Sequence, residues 1–194
     1  RGIDRLAVPL VRVIAGTAKG VRLGPVPRGV RPVSDRAREG VFSSLGAGVP
    51  GTRVLDLYAG TGAMAIEALS RGAERATLVE RDRAALGAIR DNLARARLAE
   101  AAEIVPSDAL AFVTRDDNPL GAFDLVFVDP PYALDQDELD GLVAAIGSAG
   151  LSGPTWRVVL TRPKRSSTPV IPLHWLAARR LSYGDTLVFI FREV

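Results

Sequence analysis

The sequence predicts an α/β fold built on a doubly wound, mostly parallel sheet, and three features lead to this prediction. Between positions 51 and 148, short apolar runs alternate with helical patterns, which is typical of successive βαβ units. A turn with two glycines, Gly60 and Gly62, joins the first apolar run to the first helical pattern. Near the C-terminus, Gly184-Asp185 separates two strand-like runs, which indicates a β-hairpin and hence an antiparallel end to the sheet.

The predicted elements alternate along the chain. The predicted strands are "RVLDLY", "ATLVE", "AEIV", "DLVFV" and "WRVVLT". The helix after the first strand, "AMAIEALSRG", is expected to end at Gly72, because glycine readily takes the left-handed conformation of a helix end. The next helix is predicted over residues 83–98, with its apolar residues on one face. Asp135 and Glu138 are spaced as an N-cap and its partner, and they predict a helix that reaches Ile146.

The first 50 residues show a different pattern from the rest of the chain. "LVRVIAG" and "GVRL" predict two short strands around a turn from Gly16 to Gly20. Ser34 then precedes an amphipathic helical pattern and is a candidate N-cap. We therefore expect a basic N-terminal extension, residues 1–50, followed by a catalytic unit, residues 51–194.

The charge of the 194-residue chain is unevenly distributed, although its net value is only +3. Lys and Arg number 9 against 3 Asp and Glu in residues 1–50, 9 against 17 in residues 51–150, and 7 against 2 in residues 151–194. An acidic middle between basic ends suggests different partners for different surfaces. With no cysteine and a single histidine, the composition argues against a disulfide scaffold and a zinc site.

The glycine-rich turn "LDLYAGTGAMA" predicts a cofactor site at the end of the first strand. Gly60 and Gly62 lie where glycines let a ligand approach the backbone. With Ala65 the spacing satisfies G-x-G-x-x-G/A, and Glu80 follows Gly60 by 20 residues, where an acid can bind ribose hydroxyls. A dinucleotide-dependent dehydrogenase is therefore one interpretation.

Acids at the strand ends favour a different cofactor. Asp56 lies on the first strand, where a carboxylate would repel a pyrophosphate but suit the ammonium group of an amino acid. Glu80 suits a ribose, and Asp108, in "PSDA" after the third strand, can accept a hydrogen bond from an adenine amino group. Because these strand ends line one crevice, the three acids together predict S-adenosylmethionine, with helix capping as the alternative role for each acid. The predicted cofactor-binding residues are Asp56, Tyr58, Ala59, Gly60, Thr61, Gly62, Glu80, Arg81, Ser107, Asp108 and Ala109.

The stretch "LVFVDPPY", residues 125–132, joins an apolar strand to an acid, two prolines and an aromatic ring. Asp129 ends the fourth strand at the same sheet edge as the cofactor residues. Its carboxylate and the carbonyl of Pro130 can each accept one N–H of an exocyclic amine, which turns the nitrogen lone pair towards a methyl donor. The prolines stiffen the segment, and Tyr132 can stack on the base. Asp129, Pro130 and Tyr132 are therefore the predicted catalytic residues.

Four blocks of sequence carry a family resemblance. In this order, "RVIAGTAKGVRL", "RPVSDRAREGVFSSL", "LDLYAGTGAMAIEALSRGA" and "FVDPPY" resemble the RsmD family of 16S ribosomal RNA guanine-N2 methyltransferases, over nearly the whole chain. The resemblance implies a class I methyltransferase fold of seven strands with an N-terminal β-hairpin extension. It also implies S-adenosylmethionine as donor and guanine 966 of 16S rRNA as acceptor. Departures from the family pattern are Val33 for a frequent Thr, Tyr58 for a common Phe, and "LTRP" where many members carry Glu.

The basic N-terminal segment fits an RNA substrate, because the acidic middle of the chain offers few phosphate contacts. For Arg36, which begins the capped helix, contact with the cofactor carboxylate is the alternative. The predicted RNA-binding residues are Arg12, Lys19, Arg22, Arg28, Arg31, Arg36 and Arg38.

Three functions stay open from the residues and the resemblance. The first is a 16S rRNA guanine-N2 methyltransferase. The second is an adenine-N6 methyltransferase of DNA or RNA, because the Asp-Pro-Pro-Tyr motif accepts any exocyclic amine. The third is a non-catalytic RNA-binding protein, against which the intact Asp56 and Asp129 argue. We expect a cytoplasmic monomer that binds 16S rRNA within the assembling small ribosomal subunit, and neither a metal nor a membrane.

Overall fold

The computed structural model describes residues 11–27, 33–117, 120–151 and 155–194. Seven strands form one sheet in the order β3-β2-β1-β4-β5-β7-β6. The strands are β1 (Arg53–Leu57), β2 (Arg75–Glu80), β3 (Ala102–Pro106), β4 (Leu125–Val128), β5 (Arg157–Pro163), β6 (Trp175–Tyr183) and β7 (Thr186–Glu193). The helices are α1 (Asp35–Leu45), α2 (Ala63–Ser70), α3 (Arg83–Ala96), α4 (Ala109–Val113) and α5 (Gln136–Ala149).

The pairing of the strands confirms the predicted fold class. β1 to β5 are parallel to one another, and β7 runs antiparallel between β5 and β6. The turn at Gly184 and Asp185 joins β6 to β7, as the hairpin signal predicts. The two predicted helix starts are also confirmed, because the Ser34 side chain accepts from the Ala37 N–H and the Asp135 side chain accepts from the Glu138 N–H.

Helices cover both faces of the sheet, so two hydrophobic cores form. Alternate residues of each strand point to opposite faces. On β1, Val54 packs with α1, α2 and α3, whereas Leu55 and Leu57 pack with α4 and α5. Asp56 follows Val54 by two residues, so its side chain points to the same face of the sheet, which α1 and α2 cover. Within the described residues, no helix is both long and apolar enough to cross a membrane.

The N-terminal segment folds back on itself and packs against α2. The Val13 N–H donates to the Val21 carbonyl at 2.9 Å, and the Leu23 N–H donates to the Val11 carbonyl at 2.8 Å. This pairing yields one isolated antiparallel bridge, between Arg12 and Arg22, instead of the two predicted strands. The buried side chains of this segment belong to the same hydrophobic core as α1, α2 and α3.

Backbone N–H groups of the N-terminal segment donate hydrogen bonds to a side chain and a carbonyl of α2. In a longer strand pair, these N–H groups would bond to the partner strand instead. The Ile14 and Ala15 N–H groups donate to the Glu67 carboxylate, at 2.7 and 3.1 Å, and the Thr17 N–H donates to the Ser70 carbonyl at 2.8 Å. Gly16 has φ +84°, and a Cβ there would overlap the Ser70 carbonyl. The two predicted strands are therefore wrong in extent, because contact with α2 replaces the ladder.

Candidate active site

A cavity of about 570 Å³ opens at the carboxyl ends of β1, β2 and β4. In a doubly wound sheet this edge is where ligands bind. All three predicted catalytic residues line it, and so do most of the predicted cofactor residues. The lining residues are Val33, Asp56, Tyr58, Ala59, Gly60, Thr61, Ala63, Met64, Val79, Glu80, Arg81, Asp82, Ser107, Ala109, Asp129, Pro130, Pro131 and Tyr132.

The glycine-rich turn after β1 forms part of the lining of this cavity. Tyr58 and Gly62 have left-handed backbone conformations, with φ of 60° and 76°. The Gly62 N–H donates to the Ala59 carbonyl at 2.7 Å. Gly62 is the N-cap of α2. A Cβ on Gly62 would lie 3.0 Å from the Leu78 side chain, so the position requires glycine for conformation and for packing. Gly62 shapes the turn but does not line the cavity.

Glu80 is held rigidly at the end of β2. One carboxylate oxygen accepts from the Gly60 N–H at 2.9 Å, and the other accepts from the Arg81 and Asp82 N–H groups at 2.8 Å each. A carboxylate oxygen has two lone pairs, so the oxygen bonded to Gly60 keeps acceptor capacity. Glu80 thus fixes the glycine-rich turn and can still accept from a ligand hydroxyl group.

Asp56 is a buried acid at the floor of the cavity, only 1% exposed. One of its oxygens accepts from the Ala65 N–H at 3.1 Å. Burial raises the pKa of Asp56 well above its ordinary value, and the nearby Asp129 and Glu80 carboxylates raise it further. A bound cation would offset this cost, because an opposite charge favours the ionised carboxylate.

Asp108 caps a helix at the end of β3, next to the cavity lining. One of its oxygens caps α4 through the Leu110 and Ala111 N–H groups, and the other binds the Arg81 guanidinium at 3.1 Å. Asp108 does not line the cavity, whereas its neighbours Ser107 and Ala109 do. Asp108 therefore has the capping role that was the alternative, and its contact with an adenine amino group stays a prediction.

Asp129 extends β4 into the cavity, and Thr161 fixes its carboxylate. The Asp129 N–H donates to the Leu57 carbonyl at 3.4 Å, which continues the β1–β4 ladder by one residue. The Thr161 hydroxyl donates to one carboxylate oxygen of Asp129. Burial raises the pKa of Asp129 to about 6, and the hydrogen bond from Thr161 opposes this shift.

The prolines after Asp129 lead into a short turn that carries the aromatic ring. The Leu134 N–H donates to the Pro131 carbonyl at 2.9 Å, and Asp135 then caps α5. Tyr132 is 40% exposed, and its hydroxyl lies 3.5 Å from the Thr186 hydroxyl. The ring therefore stands at the mouth of the cavity, where it is accessible to a base.

The ionisable lining of the cavity is mostly acidic. Asp56, Glu80, Asp82 and Asp129 lie along it, against the single cation Arg81 among the lining residues that the structure describes. Such a lining attracts a cationic ligand and repels a pyrophosphate. It therefore favours a sulfonium cofactor with an ammonium group over a dinucleotide. No group of side chains in the described ranges has the arrangement needed to hold a metal ion.

The basic residues of the N-terminal segment that the structure describes are either exposed or buried. Arg12, Lys19, Arg22 and Arg36 are exposed on the surface. Arg28 and Arg31 lie outside the described residues, and their predicted role stays a prediction. Arg38 is wrong as an RNA contact, for it is fully buried. Its guanidinium donates to the Arg12 carbonyl at 2.7 Å and pairs with Asp35 at 2.6 Å.

Two side chains that support the site were not predicted from the sequence. Thr161 positions Asp129, and Asn92 holds the glycine-rich turn. The Asn92 amide donates to the Thr61 carbonyl at 2.9 Å and accepts from the Gly24 N–H at 2.6 Å. An asparagine on the apolar face of a predicted helix was the signal available for Asn92, since buried polar groups need partners.

Loss of the Thr161 hydroxyl should raise the pKa of Asp129 above its value of about 6, because the donated hydrogen bond stabilises the carboxylate. We expect Thr161→Val to shift this titration to higher pH in the cofactor-free protein. Carboxyl NMR of the ¹³C-labelled protein measures the shift. Thr161→Ser keeps a hydroxyl group and should titrate like the unaltered protein. A titration in Thr161→Val that is unchanged or lowered would contradict this arrangement.

The sheet order and the acidic crevice define the class I methyltransferase fold, with β7 inserted antiparallel between β5 and β6. The yhhF protein of Escherichia coli has this fold, with a TM-score of 0.82 and 32% identity over 94% of this chain and 97% of that chain. The model of a family described as conserved hypothetical protein 95 matches residues 11–192. The chain belongs to this family, the RsmD family.

The names of two of the curated relatives state different activities. "Ribosomal RNA small subunit methyltransferase D" of Escherichia coli K12 is 32% identical over 185 residues, which are 94% of this chain and 90% of the relative. "tRNA1(Val) (adenine(37)-N6)-methyltransferase" of Bacteroides thetaiotaomicron is 34% identical over 100 residues, 50% of this chain and 40% of the relative. The first likeness spans the N-terminal segment and the sheet, and the second is partial.

Proposed function

We propose that this protein transfers a methyl group from S-adenosylmethionine to the exocyclic N2 amine of a guanine in 16S ribosomal RNA. The observation that carries the proposal is the position of Asp129. Its carboxylate, fixed by Thr161, enters the same cavity as the acids Asp56 and Glu80. A hydrogen-bond acceptor for an amine thus stands beside a site suited to a cationic cofactor.

The cofactor residues that fit S-adenosylmethionine surround the glycine-rich turn. When bound, the cofactor supplies an electrophilic methyl group on a cationic sulfur. The remaining acceptor capacity of Glu80 suits the ribose hydroxyls, and Asp56 offers a buried negative charge near the ammonium group. Backbone and side-chain groups at Ser107 and Ala109 border the adenine end of the cavity.

The reaction requires that the amine lone pair point at the methyl group. We assign one N–H of the guanine amine to Asp129 and the other to the Pro130 carbonyl, which leaves the lone pair free to attack. The lone pair held in this orientation would form the new N–C bond to the methyl group that S-adenosylmethionine would supply, and the electron pair of the broken C–S bond would stay on sulfur. The amine then sheds a proton, and Asp129 can accept it because its pKa lies near 6. Tyr132 stacks on the base at the cavity mouth.

The RNA substrate follows from the name of the Escherichia coli relative and from the exposed cations of the N-terminal segment. We propose that Arg12, Lys19, Arg22 and Arg36 contact phosphates, with the protein acting as a cytoplasmic monomer on 16S rRNA in the assembling small subunit. The family resemblance, rather than the cavity, supports guanine 966 as the acceptor.

Adenine N6 is the second candidate acceptor. It is supported by the partial likeness to the tRNA adenine-N6 methyltransferase and by the motif itself, since Asp129 and Pro130 accept from any exocyclic amine. The likeness to the rRNA enzyme covers 94% of this chain, and the likeness to the adenine enzyme covers 50%. This difference in coverage favours guanine.

The proposed function is tested by incubating the protein with radiolabelled S-adenosylmethionine and, in separate reactions, undermodified small ribosomal subunits or undermodified transfer RNA. We expect label in 16S rRNA at one nucleotide, which primer extension or fragment mapping locates. Label in transfer RNA alone would contradict the rRNA assignment. A protein that binds the subunit but transfers no label would be a non-catalytic RNA-binding protein.

Replacing Glu80 should weaken cofactor binding. Hydrogen bonds to charged groups contribute about 1.5–3 kcal/mol each, so Glu80→Ala should lower the affinity for S-adenosylhomocysteine about ten- to a hundredfold. Isothermal titration calorimetry measures this change, and a thermal melt reports any loosening of the glycine-rich turn. Glu103→Ala, which removes an exposed acid on β3, is the matched control. Equal affinities for the two variants would remove Glu80 from the cofactor site.

A further inference from the structure

A second groove lies beside the reaction cavity and has no role in the chemistry above. It encloses about 750 Å³ and is called the side groove below. Tyr132 lines both the side groove and the reaction cavity, so the two spaces meet at this ring. The side groove is lined by Tyr132, Pro163, Lys164, Arg165, Gly184 and Asp185.

The floor of the side groove is a rigid part of the sheet. Pro163 is the last residue of β5 and pairs with Thr186, the first residue of β7. One residue further, the Lys164 N–H donates to the Asp185 carbonyl at 2.8 Å. The contact of Thr186 with the Tyr132 hydroxyl, at 3.5 Å, connects the same floor to the aromatic ring. These contacts join the ends of β5 and β7 to the segment that carries Tyr132.

The side groove combines free positive charge with an aromatic wall. Lys164 and Arg165 are exposed, and neither forms an ion pair with another residue that the structure describes. They outnumber the single acid of the lining, Asp185. Cations that follow a backbone, next to a ring on which a base can stack, are the features by which proteins bind single-stranded nucleic acid.

The position of the groove also matches the path that a bound strand must take. A base that enters the reaction cavity leaves its stack, and its sugar-phosphate backbone stays at the cavity mouth. Tyr132 stands at that mouth, and Lys164 and Arg165 lie beyond it on the β5 side. The phosphates next to the target nucleotide would therefore meet these two cations first.

We propose that the side groove binds the RNA strand adjacent to the target nucleotide, with Lys164 and Arg165 as its phosphate contacts. This inference rests on the proposed function, because it assumes that a base occupies the reaction cavity. It adds a second contact region at the end of β5, separate from the basic N-terminal segment. The cavity selects and methylates the base, and the side groove holds the strand that carries it.

The test compares the variant Lys164→Ala/Arg165→Ala with Arg90→Ala/Arg95→Ala. The second pair removes the same charge from exposed positions on α3, away from the cavity lining. RNA affinity is measured for each protein at several salt concentrations, with an oligonucleotide in which the target nucleotide is unpaired. Each lost contact to a single strand reduces the slope of log affinity against log salt by about 0.7.

We expect the groove variant to lose about 1.4 units of slope and to raise KM for RNA, with kcat and cofactor affinity unchanged. The α3 variant should keep the slope of the unaltered protein. If the groove variant also keeps that slope, while the unaltered protein methylates RNA, this inference alone is overturned. If the unaltered protein shows neither salt-dependent RNA binding nor methyl transfer, the proposed function falls and the inference falls with it.

Discussion

Asp129→Asn should lower kcat for methyl transfer about 10²–10³-fold while cofactor affinity stays within about twofold. The magnitude is that of losing one preorganised hydrogen-bond partner at a reacting group. Asparagine keeps the shape of the side chain and an oxygen for the Thr161 hydroxyl. Its neutral amide oxygen is a weaker acceptor for the guanine amine than a carboxylate, and the amide cannot take the proton of the amine. Asp129→Ala should show the same loss, with the Thr161 hydroxyl also unpartnered.

The stability of Asp129→Asn provides the control for folding. Because burial raises the Asp129 pKa to about 6, the folded state holds a proton that the unfolded state releases between roughly pH 4 and 6. The unaltered protein therefore loses stability as pH rises through this range, and the neutral asparagine does not. Asp129→Asn should unfold at a temperature equal to or above that of the unaltered protein at pH 8. Full activity in this variant would contradict the proposed mechanism.

Glu67→Ala should destabilise the protein by about 3–5 kcal/mol, the usual result of removing one partner of a buried charge pair. Glu67 is fully buried on α2 and binds the Arg71 guanidinium at 2.7 Å, with the Arg38 guanidinium 3.9 Å away. It also accepts the Ile14 and Ala15 N–H groups. Its loss would leave the Arg71 guanidinium and the two backbone donors without this acceptor, whereas Arg38 would keep its contacts with Asp35 and the Arg12 carbonyl.

The measurement for Glu67 is a thermal melt followed by circular dichroism. For a chain of this length, 1 kcal/mol corresponds to about 2–4 °C, so the midpoint should fall by roughly 6–20 °C. Glu74→Ala, which removes an exposed acid between α2 and β2, should shift it by no more than about 2 °C. Similar melting temperatures for the two variants would show that Glu67 does not anchor the N-terminal segment.

The fold was predictable because its signals are local. Each strand from β1 to β5 is a short apolar run, and the helix starts at Ser34 and Asp135 are marked by capping residues within three positions. The turn at Gly184 marks the hairpin in the same way. The position of Asp129 in the cavity was also predictable, because Asp129 follows an apolar strand and the parallel topology brings that strand end beside β1.

The errors arise where a partner lies far away in the sequence. Arg38 lies in the first part of α1 and has the pattern of a surface residue, but in the core its guanidinium donates to the Arg12 carbonyl, 26 positions earlier, and lies 3.9 Å from the Glu67 carboxylate. Every residue of α2 is buried, so its pattern could not single out Glu67 as the anchor of the N-terminal segment.

The most direct test of the central claim is the identity of the methylated nucleoside. The protein is reacted with S-adenosylmethionine and undermodified small subunits, the RNA is digested to nucleosides, and mass spectrometry with authentic standards identifies the product. Asp129→Asn, treated identically, is the control. We expect N2-methylguanosine from the unaltered protein and almost none from the variant, whereas N6-methyladenosine as the product would contradict the proposed function.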